Sequence, residues 1–253
     1  MRIVCMANNA TGATLTRWLI DRGEDVVGLV VHPDGQSRCM DRVISAMAPE
    51  QVIVGDSLGN EHTLKQLKEW EADIAVSILF DYILRPEVIQ VFPDGVINLH
   101  PSYLPYNRGQ YPNVWSIVEN TPAGVTMHYV DEGIDTGDVI AQRKISVDAT
   151  DTGESLYRKL EVEMVSLFKG TWEKIRTRTN VRVQQPADKG TSHRTRDVNG
   201  IDCIDRDKIY RAGDLIDVLR ARTFPPYRGA YFEVDGKRVY LRLQLDYGTS
   251  EDS

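Results

Sequence analysis

The first half of the chain alternates short apolar runs with segments of helical period. The apolar runs occupy residues 2–6, 25–31, 51–54, 73–79 and 95–100. An alternation of strands and helices predicts a mostly parallel sheet with helices on both faces. The runs are almost continuously apolar, which is typical of strands that are covered on both sides. We therefore expect an α/β, Rossmann-like fold.

The pattern changes after residue 122. Strands are predicted at residues 123–130 and 138–147, joined by a loop rich in Asp and Gly. A long helix follows over residues 151–175, because its apolar positions recur at helical spacing. Residues 176–200 are polar and have no period. We place a domain boundary in that segment and expect a large domain over residues 1–180.

Residues 181–253 are expected to form a small C-terminal region. A helix is predicted around residues 212–222 and a β-hairpin over residues 229–247, where Asp235-Gly236 favours a two-residue turn. A short hairpin is marginally stable on its own and needs a surface to cover it. We therefore expect this region to form a homodimer contact.

Composition narrows the class of protein. The 253 residues are 42% hydrophobic and 26% charged, as in ordinary globular proteins, and the net charge of −7 disfavours a general nucleic-acid binder. No apolar run approaches the roughly 20 residues of a membrane span, and no secretory signal is predicted. Cys5, Cys39 and Cys203 are far apart and odd in number. This predicts a reducing, cytoplasmic location without disulfides or a Cys-based zinc site.

The strand at residues 95–100 ends in the polar residues Asn98 and His100. Side chains two residues apart on a strand point the same way, and the carboxyl end of a parallel strand is where α/β sheets bind ligands. An amide can donate to a developing oxyanion, and an imidazole can move a proton near neutral pH. The alternative is a pair that only hydrogen-bonds the following loop.

The loop that follows, residues 101–116, contains three prolines, three tyrosines, a tryptophan and Arg108. Proline restricts the backbone and lowers the entropy lost in holding one shape. Aromatic faces and a guanidinium fork suit a sugar, a base and phosphate. This predicts the wall of a binding site. The alternative is a surface loop with Trp115 in the core of the next helix.

A second polar segment, residues 128–138, holds His128 and three aspartates beside Gly133 and Gly137. Glycines allow tight turns near a ligand. Carboxylates also suit Ca²⁺ or Mg²⁺, but the spacing does not match an EF-hand loop. A third reading is a solvated acidic turn.

Together, NLHPSYLPYNRG and GVTMHYVDEGIDTGD resemble the folate-dependent formyltransferase family over about residues 1–180. That family includes the methionyl-tRNA, glycinamide-ribonucleotide and nucleotide-sugar N-formyltransferases. The resemblance implies that Asn98, His100 and Asp135 are catalytic, that N10-formyltetrahydrofolate is the donor, and that no metal is required. His100 would either accept the amine proton or stabilise the intermediate, while Asp135 would orient His100 and assist proton transfer.

The resemblance also implies two groups of binding residues. The folate group is Ile78, Leu79, Phe80, Tyr82, Leu84, Asp131 and Gly133. The sugar-nucleotide group is Asn9, Tyr103, Tyr106, Arg108, Gln110, Tyr111, Trp115, Arg222 and Tyr227.

Three acceptors compete within the family. Residues 181–253 carry 13 Lys and Arg against 12 Asp and Glu, which is nearly neutral, whereas a tRNA backbone needs clustered positive charge. The resemblance implies that the glycinamide-ribonucleotide branch carries a Gly-rich phosphate loop after its first strand. This chain has ANNATGATL at that place, with a single glycine. The length of the chain and its LPYNRGQYPNVW loop therefore favour the nucleotide-sugar branch.

The expected acceptor is a dideoxy amino sugar on dTDP, GDP or UDP, used for bacterial surface polysaccharide such as the O-antigen of lipopolysaccharide. The expected partners are thus a nucleotide sugar, folate and a second copy of the chain, without nucleic acid or membrane. The alternatives are a methionyl-tRNA or glycinamide-ribonucleotide formyltransferase. A non-catalytic sugar-nucleotide-binding module is the alternative of another class.

Overall fold

The computed structural model describes residues 1–186 and 189–248. The strands are β1 (Arg2–Ala7), β2 (Asp25–Val31), β3 (Val52–Val54), β4 (Ile74–Ile78), β5 (Val96–His100), β6 (Arg108–Gly109), β7 (Ala123–Tyr129), β8 (Val139–Ile145), β9 (Ser192–His193), β10 (Tyr231–Val234) and β11 (Lys237–Tyr240). The helices are α1 (Asn9–Asp21), α2 (Asp41–Ile44), α3 (Glu61–Glu69), α4 (Pro86–Ile89), α5 (Pro112–Val118), α6 (Gly153–Arg176), α7 (Asn199–Asp202) and α8 (Ala212–Ala221).

A seven-stranded sheet in the order β3-β2-β1-β4-β5-β7-β8 forms the framework. The pairs from β3 to β5 are parallel, and β7 pairs antiparallel with β5. The α/β fold predicted from the alternation of strands and helices is therefore confirmed. Strand β4 is buried along its whole length, as its continuous apolar run predicts. The register places Ser77 of β4 and His128 of β7 on either side of Asn98.

Most predicted elements occur where the pattern indicates them, but α2 is shorter. Between β2 and β3, the segment of helical pattern covers residues 40–48, whereas the helix in the structure covers only Asp41–Ile44. Beyond Ile44 the chain continues in tight turns, in which the N–H groups of Ala46 and Met47 each donate to the carbonyl three residues back. Pro49 prevents helix at Ala48, because the residue before a proline is disfavoured in the helical region. Ala48 is accordingly extended, with φ −69° and ψ 146°. The hairpin turn is formed as expected, with positive φ at both Asp235 and Gly236.

The chain forms two compact units, and each is built from separate stretches of sequence. The first unit comprises Met1–His100, Val125–Arg143 and Glu163–Pro186, and the second comprises Pro101–Gly124, Lys144–Val162 and the described part of Ala187–Ser253. The division into residues 1–180 and 181–253 stays a prediction. Within residues 1–186 and 189–248, no helix combines the length and the apolar character that a bilayer crossing requires.

Candidate active site

Asn98 and His128 form the centre of a polar cluster at the carboxyl end of β5. They are cross-strand neighbours, and Asn98 Nδ2 lies 3.2 Å from His128 Nε2. The opposite ring nitrogen, Nδ1, lies 2.7 Å from the carbonyl oxygen of Tyr129. A carbonyl oxygen only accepts, so Nδ1 carries a proton. In neutral His128 the Nε2 is therefore the acceptor, and the Asn98 amide donates to it.

Asp135 joins this cluster from the loop between β7 and β8. One carboxylate oxygen lies 3.4 Å from Asn98 Nδ2 and 3.4 Å from His128 Nε2. The other lies 3.6 Å from His100 Nε2. Asp135 thus stands between both imidazoles, and its side chain is only 14% exposed. The structure brings together the three residues predicted to be catalytic and adds His128.

The loop that carries Asp135 is tightly folded. Asp135 has φ 53°, a left-handed conformation that a residue with a side chain rarely adopts. The carboxylate of Asp131 accepts hydrogen bonds from the Gly133 N–H at 3.0 Å and the Thr136 hydroxyl at 2.6 Å. A Cβ atom at Gly137 would lie 2.0 Å from the Tyr129 carbonyl oxygen, so glycine is required there. The loop is therefore shaped to present Asp135.

A cleft opens directly beside the polar cluster. Most of the predicted folate residues line it, together with cluster members and apolar neighbours, and these lining residues are Ser77, Phe80, Tyr82, Ile83, Leu84, Asn98, His128, Val130, Asp131, Gly133, Ile134 and Asp135. Ile78 and Leu79 do not line it. Leu79 has φ 50°, and it turns the chain out of β4 towards the lining residues. A flat apolar ring with polar edges suits such a cleft.

His32 supports the aromatic wall of this cleft. Its ring packs against Phe80 and Tyr82, with centroids 5.1 Å and 5.0 Å away. Burial lowers the pKa of His32, an effect that Asp81 opposes and Arg38 reinforces. Phe80 and Tyr82 are also in contact, with centroids 5.1 Å apart, so the three rings form one cluster. His32 also lines a second cavity with Asn8, Asn9 and Arg38, so the predicted sugar-nucleotide residue Asn9 lies at that cavity.

The other predicted sugar-nucleotide residues belong to the second unit. Arg108 lies in β6, which pairs with β9, and the Gln110 N–H donates to the His193 carbonyl at 2.9 Å. Tyr103 and Tyr106 are half-buried, whereas Tyr111 is exposed and has φ 56° at the start of α5. The loop is therefore held by the segment around residue 192, which had no predicted structure.

Three of the predicted sugar-nucleotide residues contact other side chains of the second unit. Trp115 is 6% exposed and stacks on His193 with ring centroids 4.1 Å apart, which supports its alternative reading as a core residue. Arg222 donates from Nε to one carboxylate oxygen of Asp202 and from Nη2 to the other, and the second of these hydrogen bonds is 2.9 Å long. Tyr227 packs edge-on against Phe224 but remains 52% exposed.

Two residues of the site were missed by sequence reasoning. His128 was noted on its strand, but its pairing with Asn98 depends on the β5–β7 register. Gln185 lies in the polar segment after α6, and its Nε2 donates to the carbonyl oxygens of Asp135 and Gly137, each at 2.8 Å. No sequence period marks it. Among the described residues, no group of three or more His, Cys, Asp or Glu is arranged to hold a metal ion. Metal independence stays a prediction.

Comparison with known proteins agrees with this geometry. A family model described as "Formyl transferase" matches residues 1–169, and one described as "N-formyltransferase dimerization C-terminal domain" matches residues 197–247. The dTDP-4-amino-4,6-dideoxyglucose formyltransferase of Mycobacterium bovis is 32% identical over 174 residues, which cover 66% of this chain and 74% of that protein. The methionyl-tRNA formyltransferase of Geobacter metallireducens is 30% identical over 245 residues, which cover 90% of this chain and 74% of that protein.

Solved structures of formyltransferases are similar to most of the chain. A 4-N formyltransferase from Francisella tularensis superposes with a TM-score of 0.85 at 27% identity, covering 97% of this chain and 98% of that one. A formyltransferase from Anoxybacillus kamchatkensis, solved with UDP-4,6-dideoxy-4-formamido-L-AltNAc and tetrahydrofolate, gives a TM-score of 0.58 at 27% identity, with coverage of 79% and 89%.

Proposed function

This chain belongs to the formyl transferase family, and we propose that it moves a formyl group from N10-formyltetrahydrofolate to the amino group of a nucleoside-diphosphate-linked dideoxy amino sugar. The observation that carries the acceptor class is the match, over almost both full lengths, with a 4-N formyltransferase. The polar cluster around Asn98 supports the chemistry. The enzyme is thus a folate-dependent sugar N-formyltransferase.

Asn98 stabilises the oxyanion that forms when the acceptor amine attacks the formyl carbon. One N–H of its amide is held by His128 at 3.2 Å, which fixes the orientation of the group. The other points to Asp135 at 3.4 Å, a distance near the limit of a hydrogen bond. That weaker contact is exchanged for the oxyanion, so the donor is in place before the reaction begins.

His100 and Asp135 move the proton. The attacking amine must lose one, and N10 of the folate must gain one when its bond to the formyl carbon breaks. An oxyanion beside the Asp135 carboxylate is unfavourable unless positive charge arrives with it. A proton accepted by His100 next to Asp135 supplies that charge and is then given to N10. The products are the formamido sugar and tetrahydrofolate.

The formyl donor and the sugar acceptor bind to different sets of residues. The folate ring binds in the cleft lined by Phe80, Tyr82, Leu84, Asp131 and Gly133. Leu79, which turns the chain out of β4, and Ile78 before it act only by positioning these residues. The sugar nucleotide binds to the loop formed by Tyr103, Tyr106, Arg108, Gln110 and Tyr111 of the second unit, with Tyr227 as a further aromatic contact. The role of Asn9, which belongs to the first unit, stays a prediction. Arg108 is the diphosphate partner, because the planar fork of a guanidinium matches phosphate oxygens and its charge does not titrate. Trp115 stabilises the loop.

The enzyme acts in the cytoplasm as a homodimer and serves the synthesis of bacterial surface polysaccharide. A match of residues 197–247 to a dimerization domain supports the dimer. The nucleotide is dTDP, GDP or UDP. Methionyl-tRNA is the second candidate acceptor, favoured by the 90% coverage of this chain in the Geobacter metallireducens comparison. The nearly neutral charge of residues 181–253 opposes it.

An acceptor panel tests this assignment. The protein is incubated with N10-formyltetrahydrofolate and, in separate reactions, 3-amino and 4-amino dideoxy sugars on dTDP, GDP or UDP, glycinamide ribonucleotide, and initiator methionyl-tRNA. We expect one nucleotide sugar to gain the mass of a single carbonyl group, with the same rate after dialysis against a chelator. Formylation of the tRNA alone would replace the sugar acceptor with the second candidate.

A further inference from the structure

A short segment after α6 lies along the hairpin formed by β7 and β8, whose connecting loop contains Asp135. This segment, residues 180–185, is called the strap below. The matched family models cover residues 1–169 and 197–247, so the strap lies outside both. The strap and the β7–β8 loop both belong to the first compact unit.

The strap is attached to the hairpin at successive positions. The Asn180 amide donates to the Tyr129 hydroxyl at 3.0 Å, and the Arg182 guanidinium lies 3.5 Å from the centroid of the same ring. The backbones of Val183 and Val139 exchange two hydrogen bonds, of 2.8 Å and 2.9 Å. The strap therefore runs beside both ends of the loop that contains Asp135.

Gln185 makes the contact nearest to the reacting groups. Its side chain is 8% exposed, and its amide nitrogen donates to the carbonyl oxygens of Asp135 and Gly137, each at 2.8 Å. A primary amide has two N–H groups, so one side chain satisfies two backbone acceptors. These acceptors flank Thr136, and Gln185 therefore fixes the turn immediately after Asp135.

The turn needs such support. Asp135 has φ 53°, and a residue with a side chain keeps this conformation only where its surroundings hold it. The direction of the Asp135 carboxylate depends on that backbone conformation. Rotation of the peptide would move the carboxylate away from His100 and His128, which lie 3.6 Å and 3.4 Å from it.

We propose that Gln185 is a positioning residue for the formyl transfer, which acts by holding the backbone of Asp135 in its left-handed conformation. This inference rests on the proposed role of Asp135. Gln185 is not among the residues that line the cleft. Its loss therefore lowers kcat and leaves the affinity for folate and for the sugar nucleotide nearly unchanged.

The first test uses Gln185→Met, which keeps the volume and removes both donors. We expect kcat to fall roughly 10- to 100-fold, the range for a small misplacement of a catalytic group. Gln184→Met is the matched control, because Gln184 is the exposed neighbour in the same strap, and it should retain wild-type kcat. Equal kcat in Gln185→Met and wild type would overturn the inference.

A double-mutant cycle separates positioning from a general loss of structure. If Gln185 acts through Asp135, Gln185→Met lowers kcat in the wild-type background but has no further effect on the residual rate of Asp135→Ala. An equal fractional loss in both backgrounds would contradict the inference. Full activity of Asp135→Ala would instead refute the proposed role of Asp135, and absence of formyl transfer by the wild type would refute the proposed function, so these failures are distinguishable.

The Gln185→Glu variant supplies a readout in pH. An ionised carboxylate cannot donate to two carbonyl oxygens, whereas a protonated one restores one hydrogen bond. The ratio of the variant's kcat to that of the wild type should therefore rise as the pH falls. A ratio that is independent of pH, together with wild-type melting temperatures, would count against the positioning role.

Discussion

The amide of Asn98 donates to Nε2 of His128 across the β5–β7 pair, at 3.2 Å. The direction of this bond follows from the other side of the ring, where Nδ1 is 2.7 Å from the Tyr129 carbonyl. The carbonyl of the adjacent Tyr129 therefore sets the tautomer of His128, and the strand register places the accepting nitrogen opposite Asn98. The amide nitrogen of Asn98 then faces Asp135 as well, at 3.4 Å. The oxyanion donor is oriented by the sheet itself.

Replacement of Asn98 by alanine should remove that donor. We expect kcat to fall by about 10²- to 10³-fold, the usual effect of losing one oxyanion-hole donor. The melting temperature should change little, because the side chain is only half-buried. Steady-state kinetics together with thermal melting check this. A variant with wild-type kcat would remove Asn98 from the mechanism.

Replacement of His128 tests the orienting role of its ring. His128→Phe removes the acceptor for Asn98, and we expect kcat to fall roughly 10-fold or more, since the amide is then free to rotate. His128→Gln retains an amide oxygen that can accept, so it should recover part of the loss. If both variants showed the same kcat, acceptance from Asn98 would not be the function of His128.

The sequence predicts much of this site, but not its pairings. Asn98 and His100 are recognisable because a buried strand ends in two polar residues on one face. His128 carries no comparable signal, since its role depends on a cross-strand register that a single strand pattern does not specify. Gln185 lies in a segment without hydrophobic period. The pairing of Arg222 with Asp202 joins residues 20 positions apart, which no local pattern predicts.

Arg108 is expected to bind the diphosphate of the acceptor. Arg108→Ala loses a charge-assisted contact of about 1.5–3 kcal/mol, which corresponds to roughly 10- to 150-fold in affinity. Calorimetry should show this loss for the sugar nucleotide and nearly unchanged binding of folate. Arg17→Ala is the matched control, because Arg17 pairs only on the surface with Asp21. Weaker folate binding with intact sugar-nucleotide binding would reverse the assignment of the two groups of residues.

Asp151 should make the stability of the second unit depend on pH. Burial opposes its ionisation, but hydrogen bonds from Lys159, from the Asp148 N–H and from the Ser155 hydroxyl outweigh burial and lower the pKa of the carboxyl. Because the folded pKa lies below the unfolded one, the stabilisation is fully present at neutral pH. It is lost as the pH falls below about 4.

Asp151→Asn measures this contribution. The carboxylate is 2.7 Å from Lys159 Nζ, and loss of such a charged hydrogen bond should lower the free energy of unfolding by about 2 kcal/mol at pH 7. In urea denaturation, the difference from wild type should shrink as the pH is lowered towards 3. The exposed Asp21→Asn serves as the control. A difference that stayed constant with pH would mean that folding does not lower the pKa of Asp151.

The transfer itself gives the most direct measurement. The protein is supplied with N10-formyltetrahydrofolate that carries an isotopically labelled formyl group and with the amino sugar nucleotide selected by the panel. Tetrahydrofolate and labelled sugar are then quantified together. We predict one labelled formamido sugar for each tetrahydrofolate formed, and only a small residual rate of both products with His100→Ala or Asp135→Ala. Tetrahydrofolate accompanied by labelled formate, with no label in any sugar nucleotide, would contradict the account.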